Sequence, residues 1–131
     1  MKQKNNRRHV RIESQHLLSY MCRDDQGQLV CRGMGRTLNV SQSGIMLETH
    51  VPLEIENNIW LTIGIEDSLL EIQGRAVYSQ FNESSGRYQT GIHFEGVDAK
   101  TKDLLVKYIR IFREQEAILQ TIGIKLPDDS A

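Results

Sequence analysis

The chain has 131 residues, of which 39% are hydrophobic and 25% charged, with 16 Lys/Arg against 17 Asp/Glu. That is the size of one ordinary domain with one modest core, and a net charge of −1 excludes a histone-like or uniformly basic nucleic-acid binder. The charge is unevenly spread: eight Lys/Arg accompany three Asp/Glu in residues 1–44, two accompany nine in residues 45–99, and six accompany five in residues 100–131.

Lys2, Lys4, Arg7, Arg8 and Arg11 come first, with no acid among the first eleven residues. Residues 1–12 therefore read as a flexible basic arm with an anionic partner, or, as the plainer alternative, a solvated tail. No apolar run approaches the ~18 residues of a membrane span, and no signal-peptide core follows the arm. A soluble, cytoplasmic protein is the expectation. Cys22 and Cys31, with eight residues between them, match no C-x-x-C pair or disulfide scaffold and are expected as small buried hydrophobes in strands.

Leu17 to Arg23 reads as the first strand and Asp24-Asp25-Gln26-Gly27 as the turn after it. Leu29–Arg32 and Gly35–Val40 follow, with Leu38 and Val40 alternating against Thr37 and Asn39; Gly33 and Gly35 suggest a bulge or bend between them. Ser41-Gln42-Ser43-Gly44 forms a turn into Ile45–Thr49. Ile59, Leu61, Ile63 and Ile65 alternate with Trp60, Thr62 and Gly64, the two-residue period of a half-buried strand. Leu69–Tyr78 is expected to place Leu70, Ile72, Ala76 and Tyr78 on one face. After the polar loop Asn82–Gly86, Tyr88, Thr90, Ile92 and Phe94 point one way and Gln89, Gly91, His93 and Glu95 the other. Strands at this spacing, over residues 13–97, suggest a small antiparallel barrel or sandwich.

Asp98 then caps a helix in which Leu104, Leu105, Tyr108, Ile109, Ile111, Phe112, Ile118, Leu119 and Ile122 recur at three- and four-residue steps, with Gly123 as the stop. A helix over 98–123, about 25 residues or roughly 37 Å, is longer than a small barrel can cover. One stripe (105, 108, 112, 119) would pack on the barrel and the distal part would meet another chain, giving a homo-oligomer through 104–122. A lid lying wholly on its own barrel is the alternative. Residues 124–131 form a tail.

No catalytic template is present: neither G-x-S-x-G, H-E-x-x-H, a Walker A loop nor G-x-G-x-x-G occurs, and His9, His16, His50 and His93 match no zinc spacing. No catalytic residue, metal or cofactor is expected, and the protein is not read as an enzyme. Two short motifs remain: Arg7-Arg8-His9-Val10-Arg11, an R-x-x-x-R, and Asn39-Val40-Ser41-Gln42-Ser43-Gly44, an N-x-S-x-x-G at a strand end. Guanidinium forks bond bidentately to phosphate and to the O6/N7 edge of guanine. Asn39 and Ser41, two apart, add hydrogen bonds from one strand face, and Gly44 lets the turn bend and a ligand approach the backbone. The combination suits a compact anionic guanine nucleotide held between arm and strand end.

These residues resemble the PilZ domain family, bacterial receptors for cyclic di-GMP whose signature is R-x-x-x-R ahead of the first strand and [D/N]-x-S-x-x-G about thirty residues later. Here Asn39 follows Arg11 by 28 positions, and Ser43–Leu47 and Tyr88–Phe94 also resemble the family's strands, so the likeness runs over about residues 7–112. It implies a six- to seven-stranded antiparallel PilZ-type β-barrel with a long C-terminal α-helix. It further implies that Arg7 and Arg11, with Arg8 auxiliary, contact guanine edges and phosphates, and that Asn39, Ser41 and Gly44 take the strand-end roles. Family members often carry Trp where this chain has Tyr78. The implied function is a cyclic di-GMP receptor that clamps its arm on binding and signals to a partner protein in motility, biofilm or exopolysaccharide control. Two other readings compete: a small barrel binding single-stranded nucleic acid, disfavoured by only eight aromatics and the acidic 45–99 region, and an interaction module that dimerises through its helix without nucleotide. No nucleic-acid partner and no membrane insertion are expected.

Overall fold

The computed structural model describes residues 16–121. Six strands follow one another: β1 Leu17–Arg23, β2 Leu29–Val40, β3 Gly44–Thr49, β4 Asn58–Ile65, β5 Ser68–Asn82 and β6 Arg87–Glu95; one helix, α1 Ala99–Thr121, follows. Every pairing is antiparallel, and the sheet closes on itself in the order β1-β2-β3-β6-β5-β4. Closure gives every strand a neighbour on each side, so the sheet needs no second layer to cover an open edge strand.

Alternation does most of the positioning. In β4, Ile59, Leu61, Ile63 and Ile65 are buried while Trp60 and Gly64 face out; in β1, Leu18, Tyr20 and Cys22 point inward. The β1–β2 hairpin turns where expected. Asp24 Oδ1 accepts from the Gln26 and Gln28 amides at 3.0 Å each, and Gly27 takes a left-handed φ of 82° that a side chain would resist.

Departures from alternation occur at bulges. β2 is one continuous strand of twelve residues, so the bend expected at Gly33 and Gly35 is absent. Those glycines make room instead: a Cβ on Gly33 would stand 2.9 Å from the Tyr20 hydroxyl, and one on Gly35 would stand 3.0 Å from Leu47 Cδ1. The irregularity lies further on, where Thr37 pairs with Leu47 and Asn39 with Met46, leaving Leu38 as the extra residue. Thr37 and Val40 therefore both point inward, in place of the expected Leu38 and Val40. β5 does the same at Val77, between Ala76↔Ile92 and Tyr78↔Gly91, so Tyr78 leaves the face of Leu70, Ile72 and Ala76 and is 40% exposed.

The cysteines also depart from expectation. Cys22 and Cys31 lie directly opposite each other in the β1–β2 register, with Cα atoms 5.0 Å apart, and are joined as a disulfide. Cys22 is fully buried, as anticipated, but neither thiol is free. Pairing across a hairpin depends on register, which the spacing of two cysteines does not disclose.

Asp98 caps α1 as expected: its carboxylate accepts from the Thr101 amide at 2.8 Å, and this bond holds the carboxyl below its ordinary pKa. Leu105, Tyr108, Ile109 and Phe112 join the barrel core, while Ile118 on the other stripe is 59% exposed. Three contacts put the helix across one end of the barrel. Tyr108 Oη donates to Thr37 Oγ1 on β2 at 2.7 Å; Lys107 Nζ lies 2.8 Å from Glu66 in the β4–β5 turn; and Phe112 packs against the His16 ring at 4.4 Å between centroids, just before β1. Among the described residues no helix is long and apolar enough to cross a membrane.

Candidate functional site

The N-x-S-x-x-G segment lies on the outside of the barrel, at the end of β2 and the start of β3. The bulge at Leu38 turns Asn39 outward, and the chain then reverses through a turn closed by Ser41 N–H donating to the Gly44 carbonyl at 2.9 Å. The Phe94 amide donates to the Ser43 carbonyl at 2.9 Å, tying the turn to β6. Within the turn, Ser41 Oγ accepts from the Ser43 amide at 3.3 Å and lies 3.2 Å from Ser43 Oγ. The Asn39 side-chain oxygen accepts from the Val40 amide at 2.9 Å. Its amide nitrogen, a double donor, has no protein partner among the described residues.

These groups open on a cavity of about 210 Å³, whose lining includes Asn39, Ser41, Ser43, Val77, Gly91 and His93. Both bulges thus border it, as bulges at barrel rims tend to border binding sites. The volume is below the roughly 300–1,000 Å³ of a pocket that encloses a small molecule, so the strand end offers one wall of a site and leaves the other open. The exposed polar atoms are hydroxyls, an amide donor and an imidazole, with no carboxylate in the lining. That chemistry suits an anionic or hydrogen-bond-accepting ligand.

Of the residues singled out from sequence, Asn39, Ser41 and Gly44 converge on this cavity. Arg7, Arg8 and Arg11 lie outside the described residues. The expected part of Gly44 in bending the turn needs correction, because it has no left-handed φ. It sits in the ladder opposite His93, and a Cβ there would collide with the Ile92 carbonyl oxygen. Glycine at this position is required by the close approach of β6.

Three residues at or beside the cavity were left out on sequence grounds: Ser43 and His93 line it, and Tyr78 follows the lining residue Val77. Ser43 was only a variable position in the motif. His93 read as surface, and it is exposed; the Gly44↔His93 register is what brings it to the cavity. Tyr78 was assigned to the core face. It instead ends a row running across four strands, Asn39↔Met46↔Gly91↔Tyr78, with Cδ2 of its ring 3.1 Å from where a Gly91 Cβ would be. An aromatic ring lying over a glycine, half exposed, is a platform on which a flat base can stack.

A closed six-stranded antiparallel barrel with one helix across its end is the architecture of small ligand-receptor domains of the PilZ type. The family model described as the PilZ domain matches residues 5–110, and the chain belongs to that family of cyclic di-GMP receptors, which are generally non-catalytic. No curated protein matches the chain in sequence. Among solved structures it is similar to the PilZ domain of YcgR from Escherichia coli, determined with c-di-GMP, at 11% identity over 82% of this chain and 89% of that one, TM-score 0.55. It is similar to the Bacillus subtilis inhibitor of motility MotI/DgrA at 15% identity and TM-score 0.56, covering 89% of this chain but only 55% of that one. The PilZ domain of CeSA from a cellulose-synthesizing bacterium gives 10% identity over 72% and 90% of the two chains, TM-score 0.51. At these identities the likeness is one of fold.

Proposed function

We propose that the protein is a non-enzymatic receptor for cyclic di-GMP, which binds between the strand end at Asn39, Ser41 and Gly44 and the arginines Arg7, Arg8 and Arg11, and relays its occupancy to a partner protein in motility, biofilm or exopolysaccharide control. The observation that carries this reading is the half-built site at the N-x-S-x-x-G motif: an open cavity free of carboxylates, beside which the Asn39 amide nitrogen has no partner among the described residues. The root of the arm supports it. The His16 carbonyl accepts from the Thr37 amide at 3.0 Å, and Thr37 is two residues before Asn39. Arg11 is five residues from His16 and Arg7 nine, tethers of up to roughly 17 and 31 Å at full extension. Both can reach a ligand at the strand end.

Energetics favour a switch over a static pocket. Ordering five arm residues costs on the order of 5–10 kcal/mol of backbone entropy, and each charge-assisted hydrogen bond returns about 1.5–3 kcal/mol. Several contacts must form together, so the arm closes only when the ligand supplies them. One titration tests the ligand class: cyclic di-GMP, GTP and a single-stranded oligonucleotide, each at physiological salt. Saturable binding of the cyclic dinucleotide alone is expected. Salt-sensitive oligonucleotide binding, or no binding of any of the three, contradicts the assignment.

A further inference from the structure

The Ser41–Gly44 turn borders a second cavity on its other side. Gln42 at its tip, with Val106, Ile109, Arg110, Arg113 and Ala117 of α1, lines a groove of about 430 Å³. Positions 106, 109/110, 113 and 117 recur at three- and four-residue steps, so one helix face forms the wall. The floor is apolar: Ile109 is buried, and Val106 is 37% exposed beside it. Above it stand two arginines, both exposed, with no ion-pair partner among the described residues. This sets them apart from Arg36, Arg75, Arg87 and Lys107, each held by a carboxylate. Glu114 also borders the groove but pairs with neither arginine.

We infer that this groove is a ligand-responsive docking site for an acidic amphipathic segment of a partner protein. Apolar side chains of that segment would cover Val106 and Ile109, and its carboxylates would pair with Arg110 and Arg113. The inference rests on the cyclic di-GMP reading for its responsiveness. Ser41, Ser43 and Gly44 face the nucleotide cavity and Gln42 faces the groove, so one four-residue turn is shared by both sites. A ligand that repositions the turn alters the groove's edge without any change in the barrel. Charge complementarity selects this occupant: Arg110 and Arg113, without an ion-pair partner among the described residues, offer pairing that a basic segment would oppose.

The test uses the full chain and a synthetic 14-residue helical peptide with leucines along one face and glutamates elsewhere, beside a counterpart with lysines for glutamates. The glutamate peptide should shift amide resonances of Gln42 and residues 106–117. The double variant R110E/R113E should bind it at least tenfold more weakly, gain affinity for the lysine peptide, and keep its thermal midpoint and its cyclic di-GMP affinity. Saturating cyclic di-GMP should change the wild-type peptide affinity at least threefold. Equal binding of the two peptides, shifts confined to other surfaces, indifference to R110E/R113E, or a peptide affinity unmoved by bound nucleotide would each overturn the inference. So would concentration-dependent dimerisation that perturbs the same resonances, which would make a second copy the occupant, or recruitment to anionic vesicles without peptide binding. A chain that fails to bind cyclic di-GMP in calorimetry defeats the receptor reading, and the peptide shifts still decide separately whether the groove docks acidic segments.

Discussion

Gly44 carries a consequence that its motif position alone would misstate. Because a side chain there meets the Ile92 carbonyl, Gly44→Ala should strain the β3–β6 ladder and lower stability by about 1–3 kcal/mol, measured by urea denaturation without ligand. An unchanged midpoint would show that the ladder tolerates the methyl group. Tyr108 and Thr37 form a buried polar pair, and burial pushes the Tyr108 hydroxyl up to about 12. Tyr108→Phe leaves Thr37 Oγ1 unpartnered and should cost about 1–3 kcal/mol, whereas adding Thr37→Val should recover much of that loss. His16 is the third case. Its Nε2 is buried without a partner among the described residues, and burial, with Arg36 nearby, depresses its pKa from 6.5 to about 4. The fold holds the neutral ring while the unfolded chain protonates first, so this contribution is complete above pH 6.5 and lost as pH falls toward 4. The urea midpoint of wild type minus that of His16→Leu should therefore be level above pH 6.5 and decline below it; a difference independent of pH would exclude this protonation.

At the scale of elements, the strands were legible because alternation is strict wherever one face is buried: β4 could be read residue by residue. What escaped reading is everything that depends on a neighbour. The bulges at Leu38 and Val77 are settled by how β2 and β5 must curve to close the barrel; the first turned Thr37 inward in place of Leu38, and the second took Tyr78 off the face of Leu70, Ile72 and Ala76. The Cys22–Cys31 pairing and the approach of His93 to Gly44 are likewise facts of register. The motif residues Asn39 and Ser41 were found because their chemistry is local; Ser43 was passed over as a variable motif position, and the places of His93 and Tyr78 depend on register. The disulfide gives a direct check at this scale. Cys22 and Cys31 should resist alkylation in the unfolded, unreduced chain and react after reduction, with stability falling by about 2–4 kcal/mol. Free thiols without reductant would contradict the pairing.

Across the whole molecule, the acidic excess of residues 45–99 is less forbidding than its count. Glu48 is buried against Arg36 and Arg87, Glu66 pairs with Lys107, and Arg75 lies between Glu56 and Glu95. Two of these cations come from outside the region, so helix and β2 offset part of its charge. The cavity at the strand end has no carboxylate in its lining, which leaves a compact dianion acceptable there where a long polyanion would meet the acids of residues 45–99. The central claim is that strand end and arm hold one ligand together. A calorimetric double-mutant cycle tests it most directly: cyclic di-GMP titrated into wild type, Arg11→Ala, Asn39→Ala and the double variant. Each single substitution should weaken binding at least tenfold, and the double should lose clearly less than the two combined, the signature of a shared clamp. Wild-type affinity in Arg11→Ala or in Asn39→Ala, or strictly additive losses, would contradict it.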